Sequence, residues 1–335
     1  MRSLNIYFTG PQQVKVIEED VREPGEDEIL IRATRSLIST GTELICYTRD
    51  VDPGSHWDKW VQYPFEPGYS HVGTIQAVGA KVRDLAPGMR VATAGSHRQY
   101  VTCRGASALP IPDGVSDEDA AWFSLASVVQ NGVRRAEHAL GDTVVIIGLG
   151  MLGQLAVQYT RLSGASEVIV IDLSETRLNV ARSHGAKHTL NIPVQVARQE
   201  VERLTGGRLA DVVYDVTGFA PVFPHALRLA RTLGKVILLG DSGSPAQQHL
   251  TPDLINQGLR VIGAHGMNPP QVATEHAWWT NRNMQQLFFK YLERGQMRVS
   301  DLTTRRYPPR EAPAAYADLL RDRSQALGTF FDWTT

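Results

Sequence analysis

Residues 143–153 read TVVIIGLGMLG, and this stretch decides the class of fold. Its first five residues are apolar or β-branched and predict a buried strand, which the glycines follow directly in a G-x-G-x-x-G spacing. The next nine residues, QLAVQYTRL, have the apolar periodicity of a helix. A second apolar run, EVIVID, ends at Asp172, 19 residues after Gly153. Strand, glycine-rich turn, helix and acidic residue in this order indicate a dinucleotide-binding βαβ unit.

The glycine-rich loop has a physical role for each glycine. Gly148 permits the tight turn, Gly150 lets the backbone approach a pyrophosphate, and Gly153 lets the helix pack closely on the strand. The N-terminus of the helix then presents free N–H groups and a positive dipole end to the phosphates. The loop residues predicted to contact the cofactor are Gly148, Leu149, Gly150, Met151, Leu152 and Gly153.

Asp172 is the residue predicted to select the cofactor. Its carboxylate would accept hydrogen bonds from the ribose hydroxyls of the adenosine and would repel a 2′-phosphate, so the sequence favours NAD(H) over NADP(H). Leu173 follows Asp172 in the same turn. Arg177 would either stack on the adenine or restore some NADPH binding.

Three later apolar runs, DVVYDVTG, KVILLG and LRVIGAHG, end at residues 218, 240 and 266. Open α/β sheets bind ligands at the carboxyl ends of their strands. Thr217, Gly240 and His265 are therefore candidates for contacts to the ribose and nicotinamide half of the cofactor. For Thr217 and His265 the alternative is that the side chain only satisfies nearby backbone groups.

The composition is that of a globular, intracellular protein. The 335 residues carry a net charge of −1, which gives no reason to expect nucleic acid or a membrane surface as a partner. The two cysteines, Cys46 and Cys103, cannot form a disulfide framework or a four-cysteine zinc site. No signal peptide opens the sequence and no apolar run approaches the ~20 residues that cross a bilayer. We therefore expect a soluble, cytoplasmic protein with a small-molecule substrate.

The order of predicted elements gives the domain organisation. Residues 1–120 read as short strands separated by Pro-Gly turns, and residues 121–265 alternate strands with helices. The alternating block predicts an α/β Rossmann fold with a doubly wound parallel sheet. Residues 266–335 return to mixed character. The sequence thus predicts a Rossmann domain (121–265) inserted into a β-rich domain (1–120 plus 266–335), with a cleft between them.

Further landmarks are TGTE at 40–43, GYSHVG at 68–73 and GMRV at 88–91. With the glycine-rich loop they resemble the medium-chain dehydrogenase/reductase superfamily of the zinc alcohol dehydrogenase type, over essentially the whole chain. The resemblance implies that the β-rich domain is a GroES-like catalytic domain. It also implies a homodimer, formed through the last Rossmann strand around Leu259 to Ala264.

The chain departs from the zinc-dependent members at the metal positions. Thr40 stands where these members have their first cysteine ligand, Tyr69 and Ser70 replace a His-Glu pair, and Ser127 aligns with the third ligand. Neutral hydroxyls are poor zinc ligands, and the four-cysteine structural loop is absent. We therefore predict no zinc. The sequence looks closest to a zinc-free branch that includes bacteriochlorophyllide dehydrogenase-like enzymes and dehydrogenases of secondary metabolism.

Without a Lewis acid, hydrogen-bond donors must handle the alcohol proton and the developing oxyanion. Thr42 aligns with the hydroxyl of the family's proton relay, and Thr40 and Tyr69 occupy former ligand positions. Tyr69 is a candidate donor. His71 and Glu43 are candidate general acid/base residues, although each could instead be structural.

The favoured function is a zinc-independent, NAD(H)-dependent oxidoreductase that acts on a secondary alcohol or ketone, such as a sugar, cyclitol or biosynthetic intermediate. One alternative is a zinc-free, NADPH-dependent enoyl or quinone reductase, which the same fold supports but Asp172 disfavours. The other is a non-catalytic nucleotide-binding protein, because the metal ligands are lost.

Overall fold

The structure, a computed structural model, describes all residues 1–335 and divides them into two compact units. The first unit comprises Met1–Leu125 and Gln285–Thr335, and the second comprises Ala126–Met284. None of the helices is both long enough and apolar enough to span a bilayer.

The N-terminal part of the first unit is rich in strands, as its Gly- and Pro-punctuated apolar runs predict. Its strands are β1 (Arg2–Gly10), β2 (Gln13–Asp20), β3 (Glu28–Leu37), β4 (His71–Val78), β5 (Arg90–Thr93), β6 (Tyr100–Arg104) and β7 (Leu109–Pro110). Its helices are α1 (Thr40–Thr48), α2 (His56–Trp60) and α3 (Asp117–Ala120), and α4 (Phe123–Arg135) continues into the second unit.

The second unit alternates strands and helices. Its strands are β8 (Thr143–Ile147), β9 (Glu167–Ile171), β10 (His188–Leu190), β11 (Ala210–Asp215), β12 (Ala230–Leu238) and β13 (Arg260–Gly263). Its helices are α5 (Met151–Leu162), α6 (Glu175–Ser183), α7 (Ala197–Leu204), α8 (Phe223–Leu227) and α9 (Asp253–Asn256). The chain ends with α10 (Asn281–Glu293), β14 (Thr303–Tyr307), α11 (Ala312–Arg321) and β15 (Gly328–Asp332).

The sheet of the second unit has the order β10-β9-β8-β11-β12-β13, and its strands pair in parallel. This is the doubly wound Rossmann order, which reverses direction between β8 and β11 and so opens a crevice at their carboxyl ends. The glycine-rich loop follows β8 at that point. The predicted fold class is confirmed.

The first unit contains a seven-stranded sheet of order β14-β15-β3-β4-β5-β7, with β6 paired to β3, and a separate β1–β2 hairpin. Strands β14 and β15 from the C-terminal segment complete the sheet that the N-terminal strands begin. The aromatic side chains of Phe8, Tyr47, Tyr316 and Phe331 pack in one core between the hairpin, α1, α11 and β15. The two ends of the chain therefore form one GroES-like unit.

The unit boundaries differ from those predicted, 120 and 266, and fall at residues 125 and 284 instead. Residues 266–284 stay with the second unit because hydrogen bonds tie them to it. Gln130 of α4 donates to the carbonyl oxygen of Met284 at 3.4 Å, and within the segment Asn281 donates to that of Gly266 at 2.9 Å. The segment has little regular structure before α10, so its sequence carries no periodicity that would assign it to either unit.

Candidate active site

The glycine-rich loop has the backbone geometry that its sequence requires. Gly148 has φ of +91°, which disfavours any residue with a side chain. A Cβ atom on Gly153 would collide with the carbonyl oxygen of Gly148, whereas one on Gly150 would meet nothing within 4 Å. Gly150 is the N-cap of α5 and no side chain caps that helix. The loop therefore leaves open space beside a helix N-terminus, where phosphates bind.

Asp172 lies in the turn after β9 and contacts the loop directly. Its Oδ2 accepts the backbone N–H of Leu149 at 2.6 Å, and its Oδ1 accepts that of Ser174 at 2.8 Å. Leu173 is exposed at the tip of the turn and Arg177 is half-buried in the first turn of α6. This set fits a dinucleotide, with the carboxylate beside the loop as the acceptor for ribose hydroxyls.

The other predicted cofactor residues lie at the carboxyl ends of neighbouring strands. Thr217 donates its hydroxyl to Asp215 Oδ1 at 2.7 Å, and its methyl group would touch a Cβ atom on Gly148. Gly240 permits the loop after β12 to pack against the backbone of Gly218. His265 accepts the N–H of Met267 on its Nδ1 at 3.2 Å. The hydroxyl of Thr217 also accepts the N–H of Phe219 at 3.1 Å, so both Thr217 and His265 bond to nearby backbone groups.

In the first unit, the phenol of Tyr69 lies in a cluster of hydroxyl groups. Tyr69 donates to the hydroxyl of Ser39, and its oxygen lies 3.1 Å from Oγ1 of Thr42. Ser39 is the N-cap residue of α1 and Thr42 lies in the first helical turn. Thr40 begins α1 but does not join this cluster. Tyr69 and Thr42 were predicted from the sequence, but Ser39 was not, although its capping position before TGTE was an available signal.

The pKa of Tyr69 is raised to about 12, chiefly because burial penalises the phenolate. The hydrogen bonds between Tyr69 and the hydroxyls of Ser39 and Thr42 oppose this increase, and the negative charge of Glu43 adds to it. The phenol therefore keeps its proton at neutral pH. In this state it is a hydrogen-bond and proton donor and not a base.

Glu43 is buried, and both of its carboxylate oxygens are occupied. Oε1 accepts the N–H of Ser39 at 2.8 Å, while Oε2 accepts the hydroxyl of Tyr316 at 2.5 Å and lies 3.0 Å from Nε2 of His97. Glu43 thus fixes the N-terminus of α1, which carries Ser39 and Thr42. The arrangement matches the structural alternative for Glu43. His97 and Tyr316 were not found from the sequence.

The opposite nitrogen of His97 extends the network. Its Nδ1 lies 2.8 Å from the hydroxyl of Ser36, which also accepts Nε1–H of Trp333 at 2.9 Å. A serine, a histidine and a carboxylate in line are familiar from hydrolases, but here all three side chains are buried. Ser36 has no access to a substrate, so the line is structural.

His71 begins β4 and is fully buried. Its Nε2 bonds to the carbonyl oxygen of Arg98 at 3.2 Å, which makes Nε2 the protonated nitrogen, and its Nδ1 is buried without a partner. Burial, together with the nearby His97, lowers the pKa of His71 to about 4, although the hydrogen bond to Arg98 opposes the decrease. His71 is therefore neutral at physiological pH. The hydroxyl of the preceding Ser70 is likewise buried without a partner.

Family comparisons match separate parts of the chain. The family model described as the alcohol dehydrogenase GroES-like domain matches residues 25–113, and that described as zinc-binding dehydrogenase matches residues 152–281. The chain belongs to the medium-chain dehydrogenase/reductase superfamily. The predicted resemblance at the level of the superfamily is confirmed.

Relatives within this superfamily are dehydrogenases. The D-guloside 3-dehydrogenases of Shigella flexneri and Escherichia coli are each 26% identical over 317 residues, which cover 89% of this chain and 90% of theirs. The sorbitol dehydrogenase of Bacillus subtilis is 29% identical over 260 residues, 68% of this chain and 72% of its own. A zinc-binding dehydrogenase of Sinorhizobium meliloti, solved with NADP bound, has a TM-score of 0.82 at 22% identity and covers 99% of both chains, which shows the common fold. The chain is an oxidoreductase of this superfamily.

The zinc that the superfamily implies does not fit the residues present. Thr40, Tyr69 and Ser70 carry hydroxyls at the positions that align with zinc ligands of the superfamily. Ser127, which aligns with the third ligand, is a buried residue of α4. No group of three or more His, Cys, Asp or Glu side chains is placed to hold a metal ion. Zinc requires thiolate, imidazole or carboxylate donors. Both carboxylate oxygens of Glu43 are occupied, and the one unpartnered nitrogen of His71 is a single donor.

Proposed function

We propose that this member of the superfamily is a zinc-independent, NAD(H)-dependent oxidoreductase. It would interconvert a secondary alcohol and a ketone on a sugar, cyclitol or related biosynthetic intermediate. One observation carries the proposal: a half-buried phenol hydrogen-bonded to two hydroxyls stands at a position where the resemblance implies a metal ligand in zinc-dependent members. The proposed zinc independence rests on the chemistry of these residues, because hydroxyl groups at the positions of the metal ligands can supply a proton.

Residues of the second unit would hold the cofactor. The glycine-rich loop and the N-terminus of α5 suit the pyrophosphate, and Asp172 suits the adenosine ribose. A bound nicotinamide accepts or gives the hydride. Asp172 favours NAD(H), because a carboxylate at this position repels the 2′-phosphate of NADP(H). The relative from Sinorhizobium meliloti was solved with NADP, so the preference needs a direct test.

Tyr69 would handle the proton of the substrate hydroxyl. Its phenol is protonated at neutral pH and is oriented by Ser39 and Thr42. It can therefore donate a hydrogen bond to a developing oxyanion and give its proton to it during reduction of a ketone. Thr42 Oγ1, 3.1 Å away, offers a second hydroxyl through which a proton can pass.

The relatives suggest the class of substrate. D-guloside 3-dehydrogenase and sorbitol dehydrogenase are both named for polyhydroxylated substrates. We infer that this chain acts on a ring hydroxyl of a glycoside or cyclitol, or on a polyol. The test is a panel of glycosides, cyclitols and polyols incubated with NAD or NADP, with and without a chelator, while absorbance of the reduced cofactor is followed. NAD-linked, chelator-resistant turnover is expected; turnover that a chelator abolishes would refute zinc independence.

A homodimer is also proposed. Strand β13 is the edge strand of the second sheet, so the backbone groups on its outer side have no neighbouring strand. Val261 on this strand is 37% exposed, and exposed apolar side chains such as Ile255 lie on the preceding helix. A second copy paired across a two-fold axis would cover this edge. Light scattering of the wild type and of Val261→Arg tests this: a dimer that the substitution converts to monomer is expected, and a monomeric wild type refutes it.

A further inference from the structure

Gln154 is a fully buried polar residue in the second turn of α5. Its amide nitrogen donates to the carbonyl oxygen of Leu149 at 3.3 Å and to that of Arg177 at 2.8 Å. Both partners are acceptors, so the orientation of the amide is fixed by chemistry: the nitrogen must face them. The oxygen Oε1 consequently faces away, and it is buried without a hydrogen-bond partner.

The unpartnered oxygen argues that this glutamine is not there for packing. A leucine or methionine would fill a buried helix position without leaving an unsatisfied polar atom. What only the glutamine supplies is a bridge between two backbone segments distant in sequence. One is the glycine-rich loop at Leu149, and the other is the first turn of α6 at Arg177.

The same two segments are joined a second time by Asp172. Its carboxylate accepts the N–H of Leu149, while Gln154 donates to the carbonyl oxygen of that same residue. On the other side, Ser174 caps α6 and accepts the N–H of Arg177 at 3.4 Å, while Gln154 donates to the Arg177 carbonyl. Leu149 and Arg177 are therefore each held through both their N–H and C=O groups. Gln154 is the member of this set that reaches both residues.

We propose that Gln154 is a positioning residue for the dinucleotide: it fixes the separation between the loop that holds the pyrophosphate and the Asp172–Arg177 turn that holds the adenosine ribose. The proposal rests on the proposed cofactor binding. It predicts a specific defect. Loss of the bridge should lower the affinity for ligands that contact both segments and leave the affinity for ligands that contact only one segment unchanged.

The substitution Gln154→Leu removes both donors and the unpaired oxygen. We expect the Kd for NADH to rise about 3- to 20-fold, the range for losing one or two neutral hydrogen bonds. ADP-ribose, which contains both the pyrophosphate and the ribose, should weaken to the same extent in competition with NADH. AMP should weaken by no more than about twofold, since each half-site remains intact. The melting temperature should change little, because the loss of the two hydrogen bonds is offset by the removal of a buried unsatisfied oxygen.

Gln158→Leu is the matched control. Gln158 lies one turn later on α5, is also buried, and its amide nitrogen lies 3.3 Å from His184 Nδ1 near the end of α6. It joins the same two helices through His184, at the end of α6 away from the loop, so its replacement should leave the Kd for NADH unchanged. Gln154→Met, which keeps the unbranched length, repeats the test if the leucine variant does not fold.

Two results would overturn the proposal. One is an unchanged Kd for NADH in both Gln154 variants. The other is an equal loss for AMP and ADP-ribose, which would indicate local collapse of the ribose turn and not a change in spacing. Failure of the proposed function has a different signature, because the wild type itself would then bind neither NADH nor NADPH.

Discussion

The substitution Asp172→Asn tests the cofactor site without a known substrate. In the structure the carboxylate of Asp172 accepts two backbone N–H groups, from Leu149 at 2.6 Å and from Ser174 at 2.8 Å. Asparagine can replace only one of these acceptors, because its amide nitrogen is a donor. The backbone bond from Gly148 to the carbonyl oxygen of Ile171 does not involve this side chain. We therefore expect the variant to fold with a loosened loop.

The magnitude follows from the two effects of the charge. Loss of a hydrogen bond to a charged group costs about 1.5–3 kcal/mol, which raises the Kd for NADH roughly 10- to 150-fold. Repulsion between two unit charges 4 Å apart is about 1 kcal/mol in water and about 4 kcal/mol at an effective dielectric constant of 20. Asp172 is partly exposed, so the wild type should prefer NADH over NADPH by between about 5-fold and several hundred-fold. Asparagine should remove most of that preference.

Fluorescence titrations with NADH and NADPH measure both quantities. Glu175→Gln is the matched control, because Glu175 is an exposed acidic residue of the same helix start and does not contact the loop. It makes the same change in net charge and should leave both affinities close to those of the wild type. A wild type that prefers NADPH, or an Asp172→Asn variant with unchanged affinity for NADH, would refute the reasoning.

Three further predictions concern the first unit. Tyr69→Phe should lower turnover by roughly 10²- to 10³-fold, with NADH affinity unchanged, once a substrate from the panel is found; a turnover within about twofold of the wild type would remove Tyr69 from the chemistry. His71 binds a proton more weakly in the folded chain than when unfolded, so stability should fall as pH drops below 6.5, by about 2 kcal/mol at pH 5 from this group. Urea unfolding of His71→Leu at pH 7.5 and 5 should show that much less pH dependence; an equal dependence would contradict it. Elemental analysis of purified protein should find less than about 0.1 zinc per chain, and near-stoichiometric zinc would overturn the absence of a metal site.

The nucleotide-binding unit was predictable because its signals are local. A buried strand, a glycine-rich loop and a helix adjoin one another in sequence, and Asp172 follows at a spacing set by one βαβ unit. The parallel, doubly wound sheet then follows from the alternation of strands and helices. The boundary at residue 284 was missed because side-chain hydrogen bonds to backbone, such as that from Gln130 to Met284, hold an irregular segment against the second unit. The hydrophobic periodicity used to predict helices and strands carries no information about such contacts.

The hydroxyl cluster could be predicted only in part. Tyr69 and Thr42 stand at landmark positions, so the resemblance identified them. No sequence motif contains His97, Tyr316 or Ser36. The fold alone brings these residues into contact with Glu43 or with each other, and Tyr316 lies 273 residues from Glu43 in sequence. Their contacts occupy the carboxylate of Glu43 and favour the structural alternative, a choice that the sequence left open. A single chain cannot supply such long-range pairings without homologues that vary together.

The electrostatics of the Tyr69 cluster are opposite in sign to those of a metal centre. Zinc lowers the pKa of an oxygen bound to it by its positive charge. Here burial and the negative charge of Glu43 raise the pKa of Tyr69 to about 12. A phenol of this kind can give its proton to an alkoxide during reduction. In oxidation only the small phenolate fraction can act as a base. At pH values below 12 that fraction increases tenfold for each unit by which the pH rises. The proposed enzyme should therefore show a steep rise in alcohol oxidation rate with pH that Tyr69→Phe abolishes, while ketone reduction through Tyr69 needs no such ionisation.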